Sequence, residues 1–277
     1  MINNAISGLR SIRAILASPT SVSGAYAFEA LALGALGMSI LTLGMLVIDD
    51  RTLLGEPIWL KPLKFAVSFA VFFATLGFAT ARLSESWHRS RLIIASAAIS
   101  GAAFSFEMSY IAAQAARQEA SHFNDSTPFH EAMYALMGHG ATALMATIAV
   151  VGIVAWSDRQ ARLAPGLRLG LGLGFLLTAV LTSWVAGELA GNGARYVGIP
   201  SDVHTRLPLL GWSMEIGDLR PAHFFALHGM QVLPLMGHLA DRNGFSLRFV
   251  WIAAFLYVIL TTFVLLQATR GIPLIGV

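Results

Sequence analysis

Hydrophobic residues occur in this chain in long blocks that polar segments separate. Seven blocks are each about 20 residues long, the length that an α-helix needs to cross a bilayer core of about 30 Å. A helix also satisfies its own backbone hydrogen bonds, which the membrane interior requires. The pattern therefore predicts one all-α integral membrane domain over residues 27–277, a bundle of seven transmembrane helices with spans at 27–48, 62–82, 92–115, 132–156, 168–190, 221–240 and 247–269.

The segment before the first block, residues 1–26, has a different pattern. Apolar residues recur there at helical spacing and two arginines lie on another face: Ile6, Leu9, Ile12 and Leu16, with Arg10 and Arg13. This predicts a short amphipathic helix that lies on the membrane surface. A start without acids that contains Arg and Ser also suits a mitochondrial presequence, which is the alternative interpretation.

Composition supports a membrane protein and excludes several classes of site. Charged residues make up only 12% of the 277 positions, whereas a soluble domain carries about 25%. The basic residues are scattered at block ends and form no basic stripe, so no nucleic-acid partner is predicted. The chain has no cysteine, which excludes disulfides and thiolate-held metals. The last block, 247–266, has no lysine, which argues against a retinal Schiff base.

The distribution of arginine predicts the orientation of the bundle. The connections that would lie on the side of the N-terminus are short, rich in arginine and poor in acids. The positive-inside rule then places the N-terminus in the cytoplasm and the C-terminus outside, and we expect a bacterial inner membrane. The longer connections, 49–61, 116–131 and 191–220, lie outside. Because functional residues concentrate on loops, a small-molecule ligand is expected to enter from that extracytoplasmic side.

Three of the ionisable residues within the predicted spans mark the candidate site. His139 and His228 are each followed directly by glycine, and Glu107 lies in the third span. Ionisable groups are costly in lipid and usually mark a functional site. Counted from the predicted span ends at about 1.5 Å per residue, all three lie roughly 10–12 Å below the outer surface. His223 and Arg220 lie above them, near the outer rim.

This arrangement favours a cofactor. Haem b would take His139 and His228 as axial ligands, with Arg220 near its propionates and glycines that let the flat ring approach the backbone. A non-haem divalent metal would take His139, His228 and Glu107, with His223 as a fourth ligand. Glu107 would be the catalytic proton acceptor. The leading hypothesis is therefore redox or electron-transfer chemistry, carried out by a membrane oxidoreductase.

Two other interpretations need no cofactor. Intramembrane Glu, His and Gln side chains can line the cavity of a solute transporter or permease. Alternatively, the chain is an accessory subunit of a membrane complex, or a homo-oligomer, whose histidines only bond to neighbouring helices. Arg220 follows a predicted helix start, where a cation opposes the helix dipole, so we expect it to have an anionic partner.

Overall fold

The computed structural model of the protein describes residues 23–201 and 204–276. The predicted amphipathic helix rests on residues 6–16, which lie outside the described residues. Seven long helices and one single-turn helix form the described part, in the order α1 (Gly24–Ile48), α2 (Leu60–Thr80), the short α3 (Glu85–His88), α4 (Arg91–Ala116), α5 (Pro128–Ser157), α6 (Pro165–Asn192), α7 (Arg220–Asn243) and α8 (Leu247–Thr269).

Two small antiparallel ribbons lie in the connections. Strands β1 (Thr52–Leu53) and β2 (Glu56–Pro57) pair between α1 and α2. Strands β3 (Tyr196–Val197) and β4 (Gly217–Asp218) pair between α6 and α7. The second ribbon closes the longest connection of the described residues and places Asp218 directly before α7.

Six of the long helices are long and apolar enough to cross a membrane: α1, α2, α4, α5, α6 and α8. These six helices agree with the helical, membrane-embedded architecture that the hydrophobic blocks predict. Helix α7 lies where the sixth span was predicted and has 24 residues, but it is not among the six. Its polar side chains include three histidines, one amide and one carboxylate within the helix: His223, His228, Gln231, His238 and Asp241.

Helix α7 nevertheless packs against α6 along most of its length. Gly166 of α6 lies against the backbone of Gly237, and a Cβ atom there would come within 2.5 Å of the Gly237 carbonyl oxygen. Gly170 and Gly174 continue the contact along Leu233 and Gly229. Small residues at a four-residue spacing let two helix backbones touch, so α7 is a member of the bundle.

The helix starts differ from the predicted ones by a few residues, for a local reason. Helix α5 begins at Pro128 and α6 at Pro165, each before the predicted start. Proline is favoured in the first turn because its missing N–H has no helical partner there. Thr127 then caps α5 by accepting a hydrogen bond from the backbone N–H of His130 at 3.3 Å.

The two ends of the bundle differ in the length of their connections. The long connections 49–59, 117–127 and 193–219 meet at one end, which we call the loop end. They contact one another there: Gln118 donates to the Thr52 carbonyl, and Arg206 donates to that of Leu54. The opposite end carries the short connections 81–90, 158–164 and 244–246, and we call it the short end.

Candidate functional site

Glu107 is buried among the helices of the first half of the chain. Its side chain lies on α4 and is only 5% exposed. Its Oε1 has no hydrogen-bond partner within the described ranges, and a Cβ atom on Gly140 of α5 would lie 3.2 Å from it. The glycine after His139 therefore makes room for this carboxyl group, rather than for a flat cofactor.

His139 itself lies on the exposed outer face of α5. A methyl group added to the neighbouring Gly138 would have no other atom within 4 Å, so this face of the helix is open. No hydrogen bond joins His139 to Glu107 in the part of the chain that the structure describes. Their predicted common depth therefore does not make them a shared site.

The other predicted residues lie together on α7, at and below its start. The imidazole of His228 donates from Nδ1 to the Phe224 carbonyl at 2.7 Å, and its Nε2 has no hydrogen bond to any of the described residues. Its ring lies against that of Phe224, with centroids 4.0 Å apart. His223 is partly buried, and its Nδ1 is a buried atom without a hydrogen-bond partner among residues 23–201 and 204–276.

The four residues predicted as metal ligands are thus divided between two parts of the bundle. Glu107 and His139 belong to α4 and α5, whereas His223 and His228 belong to α7. Within the described residues, no group of three or more histidines and carboxylates is placed to hold a metal ion. A haem or metal bound by these residues stays a prediction that this geometry does not support.

Arg220 has the anionic partner that its position at a helix start requires. Its guanidinium binds Asp218, with Nη2 at 2.6 Å from Oδ2 and Nε at 2.9 Å from Oδ1. It also donates to the Gly211 carbonyl at 2.6 Å and to the Tyr196 hydroxyl at 3.2 Å. The Asp218 side chain is fully buried, so the ion pair is part of the folded loop end.

Arg220 belongs to a larger group of charges that we call the cationic cluster. It contains five basic residues and two carboxylates from three separate parts of the loop end: Lys61, Lys64, Arg195, Arg206 and Arg220, with Glu56 and Asp218. Positive charge therefore exceeds negative charge in a partly buried space.

The two carboxylates do not neutralise the cluster evenly. Glu56 Oε1 lies 3.2 Å from Arg206 Nη1 and 3.9 Å from Arg195 Nη1, so it is shared between two arginines. Burial, and next the charge of Arg220, lower the pKa of Arg195. Lys64 donates only to a neutral acceptor, the Leu210 carbonyl at 3.2 Å, in the contacts of the described residues.

Lys61 extends the cluster towards two histidines. Its Nζ donates to Nδ1 of His122 at 3.1 Å, and the His122 ring lies beside Phe65 and Tyr134 with centroids 5.3 and 5.8 Å away. Burial first, and the Lys61 charge second, lower the pKa of His122 well below 6.5, and the charge of His223 lowers it further. His122 is consequently neutral near pH 7.

A narrow cleft lies below the cluster, between α2 and α7. We call it the α2–α7 cleft, and its lining is Ser68, Val71, Phe72, Leu227, His228, Met230 and Gln231. At its lower end the side chain of Gln231 donates to Thr75 Oγ1 at 3.0 Å. Lys61, Ser68 and Thr75 are seven residues apart in turn, so they share one face of α2.

The sequence did not indicate His122, Glu56, Arg195 or Arg206 as site residues, because they lie in loops. One signal was present: Lys61 and Lys64 are the only lysines of the chain, and both lie at the mouth of the second block. His130, also assigned to a loop, is buried and binds the Tyr110 hydroxyl at 3.1 Å. No protein-family model, curated protein or solved structure matches the chain.

Proposed function

We propose that the protein is a polytopic membrane protein that binds an anionic solute at the cationic cluster, in the manner of a transporter or permease. The excess of basic side chains in the cluster is the observation that carries this proposal. At an effective dielectric constant of about 20, two unit charges about 4 Å apart interact by roughly 4 kcal/mol. An anion among these cations relieves their mutual repulsion, so the site should bind anions in preference to neutral or cationic solutes.

The donors of the cluster suit an oxyanion such as a phosphate or a carboxylate. Arginine presents a planar fork of N–H groups that matches two oxygens at once, and lysine adds a point charge. Arg220 is held in place by Asp218 and Arg206 by Glu56. Lys61 and Lys64 have only neutral hydrogen-bond acceptors in the described contacts, so we assign them the direct contact with the ligand.

We also propose that α7 is the seventh span and that the loop end is extracytoplasmic. The antiparallel packing of α6 and α7 supports the first point, because the glycines of α6 lie against the backbone of α7 and Asp241 of α7 accepts hydrogen bonds from Gly166 and Leu167. The positive-inside rule supports the second. The short end is rich in arginine and has few acids: Arg82, Arg89, Arg91, Arg159, Arg162, Arg168, Arg242 and Arg248, with Glu85, Asp158 and Asp241. The N-terminus is then cytoplasmic in a bacterial inner membrane.

The test is a binding measurement on the purified protein in lipid nanodiscs. We expect inorganic phosphate or acetate to raise the melting temperature, and the double substitution Lys61→Gln with Lys64→Gln to abolish the shift. Arg89→Gln, at the short end, is the matched control and should keep it. An equal response from all three proteins, or none from the unaltered protein, would contradict anion binding at the cluster.

A haem or metal cofactor is the second candidate, and one contact favours it. The hydrogen bond from His228 Nδ1 to a backbone carbonyl fixes the tautomer and leaves Nε2 free, as is usual for ligating histidines. The absorption spectrum and metal content of the purified protein test this. A Soret band that His228→Ala removes and His238→Ala retains would support haem, and a colourless, metal-free preparation that binds anions would contradict a cofactor.

A further inference from the structure

The wall of the α2–α7 cleft is mostly apolar. Val71, Phe72, Leu227 and Met230 are its apolar residues, and Ser68, His228 and Gln231 supply its polar groups. The volume within it is about 10 Å³, roughly the space of one water centre. This space is too small for a hydrated ion, and an alkyl chain can lie there only if the side chains between α2 and α7 move apart.

The cleft is continuous with the cationic cluster. Lys61 contacts His122, and His223 lies close enough to His122 for a charge on it to lower the pKa of His122. His223 in turn lies near His228, which lines the cleft. Along α2, Ser68 lies about 10 Å below Lys61 at 1.5 Å per residue. A ligand can therefore touch the cluster and the cleft at the same time.

The cleft is closed below and open on the side that faces lipid. The hydrogen bond between Gln231 and Thr75 closes its lower end. Val71 is 43% exposed and Phe224, next to His228, is 40% exposed. These side chains lie at the outer surface of the bundle, so a hydrocarbon chain can enter sideways from the bilayer without crossing water.

We propose that the ligand is an anionic amphiphile, with its oxyanion at the cationic cluster and its single apolar chain in the α2–α7 cleft. This inference rests on the proposed function, because it takes the cluster as the site of the anionic group. It adds the class of ligand: a molecule derived from or dissolved in lipid, rather than a small hydrophilic ion. The headgroup is a phosphate or a carboxylate, since both offer the charge and the oxygens that the arginines match.

Chain length provides the sharpest test. Burial of each methylene group should tighten binding roughly threefold to fourfold, until the chain reaches the closed end of the cleft. The probes are inorganic phosphate, butyl phosphate and octyl phosphate, with octanoate to compare the headgroup. Binding is measured by calorimetry on the full chain in nanodiscs, and empty nanodiscs give the partition of each probe into lipid.

Two variants distinguish binding in the cleft from partition into the membrane. Val71→Trp fills the cleft, and Val71→Phe is the smaller change in case the first protein does not fold. Val180→Trp is the matched control, because Val180 is 65% exposed on α6. We expect the gain from phosphate to octyl phosphate to vanish in the Val71 variants and to persist in Val180→Trp, while inorganic phosphate binds all of them equally.

Each other outcome has a definite meaning. Equal affinity for all phosphates in the unaltered protein overturns the amphiphile but leaves anion binding at the cluster intact. A gain with chain length that survives in the Val71 variants also overturns it, because the chain then lies elsewhere. Failure of every probe to bind overturns the proposed function itself. Octanoate that binds as tightly as octyl phosphate supports a carboxylate ligand, and weaker binding supports a phosphate.

Discussion

The ion pair between Asp218 and Arg220 offers the clearest test of how much the loop end contributes to the stability of the fold. In Asp218→Asn the side chain keeps its shape and one acceptor oxygen, but it loses its charge. Asp218 now accepts hydrogen bonds from Arg220 and, at 2.9 Å, from the backbone N–H of Ser213. The substitution removes the carboxylate that is hydrogen-bonded to the Arg220 guanidinium and leaves Glu56 as the remaining carboxylate of the cluster.

The size of the effect follows from the burial of both partners. Removal of one partner from a buried ion pair costs about 3–5 kcal/mol of stability. The Asp218 side chain is fully buried and that of Arg220 is 23% exposed. Solvent therefore screens one partner to some extent, and we expect the lower end of the range, about 3 kcal/mol.

The assay is reversible unfolding in mixed micelles, followed by circular dichroism. Glu85→Gln is the control, because Glu85 forms an exposed pair with Arg89 at 3.1 Å, and such pairs contribute at most about 1 kcal/mol. A loss in Asp218→Asn no larger than in this control would refute the reasoning. Added phosphate should restore more stability to Asp218→Asn than to the unaltered protein, since its cluster has one carboxylate fewer.

Three further predictions concern helix packing, acid sensitivity and the buried carboxyl group. Gly170→Val should destabilise the protein by about 1–3 kcal/mol, because α7 leaves no space for a side chain at this position. Gly34→Val is the control, since Gly34 has no other atom within 4 Å of an added Cβ atom, and it should have a much smaller effect in the same unfolding assay. Burial lowers the pKa of His122 well below 6.5, so the unfolded chain takes up this proton first and the contribution of His122 to stability falls as the pH drops below 6.5. His122→Gln should therefore reduce the fall in melting temperature between pH 6.5 and 4.5. Glu107→Met should leave the stability of the protein unchanged or raise it, since the substitution removes a buried oxygen that has no hydrogen-bond partner among the described residues. A loss of more than about 2 kcal/mol would show instead that the carboxyl group has a hydrogen-bond partner.

The spans could be predicted from the sequence because a bilayer imposes a length on each helix. The blocks marked six helices that are long and apolar enough to cross a membrane. Only the exact starts of these helices depended on local features, such as the prolines at Pro128 and Pro165. Helix α7 was the difficult one. Its polar residues lower its hydropathy, and its place in the bundle depends on glycine contacts with α6 that no single segment reveals.

The site was harder to predict, for two physical reasons. The face of α5 that carries His139 is not distinguishable by hydropathy, because lipid and helix neighbours are both apolar. The contact between Lys61 and His122 joins residues 61 positions apart, so it depends on how the loops fold over the helix ends. The sequence indicated His223, His228 and Arg220, which one helix holds together, but not their partners.

The glycine contact between α6 and α7 has a consequence for how the chain enters its membrane. A helix with several histidines and a partly buried aspartate inserts poorly into a membrane by itself, since each polar group must leave water. Asp241 of α7 accepts hydrogen bonds from the backbone of Gly166 and Leu167 at 2.7 Å. Helix α6 thus supplies hydrogen-bond partners that lipid lacks. In the proposed seven-span topology we therefore expect α6 and α7 to insert together as a helical hairpin.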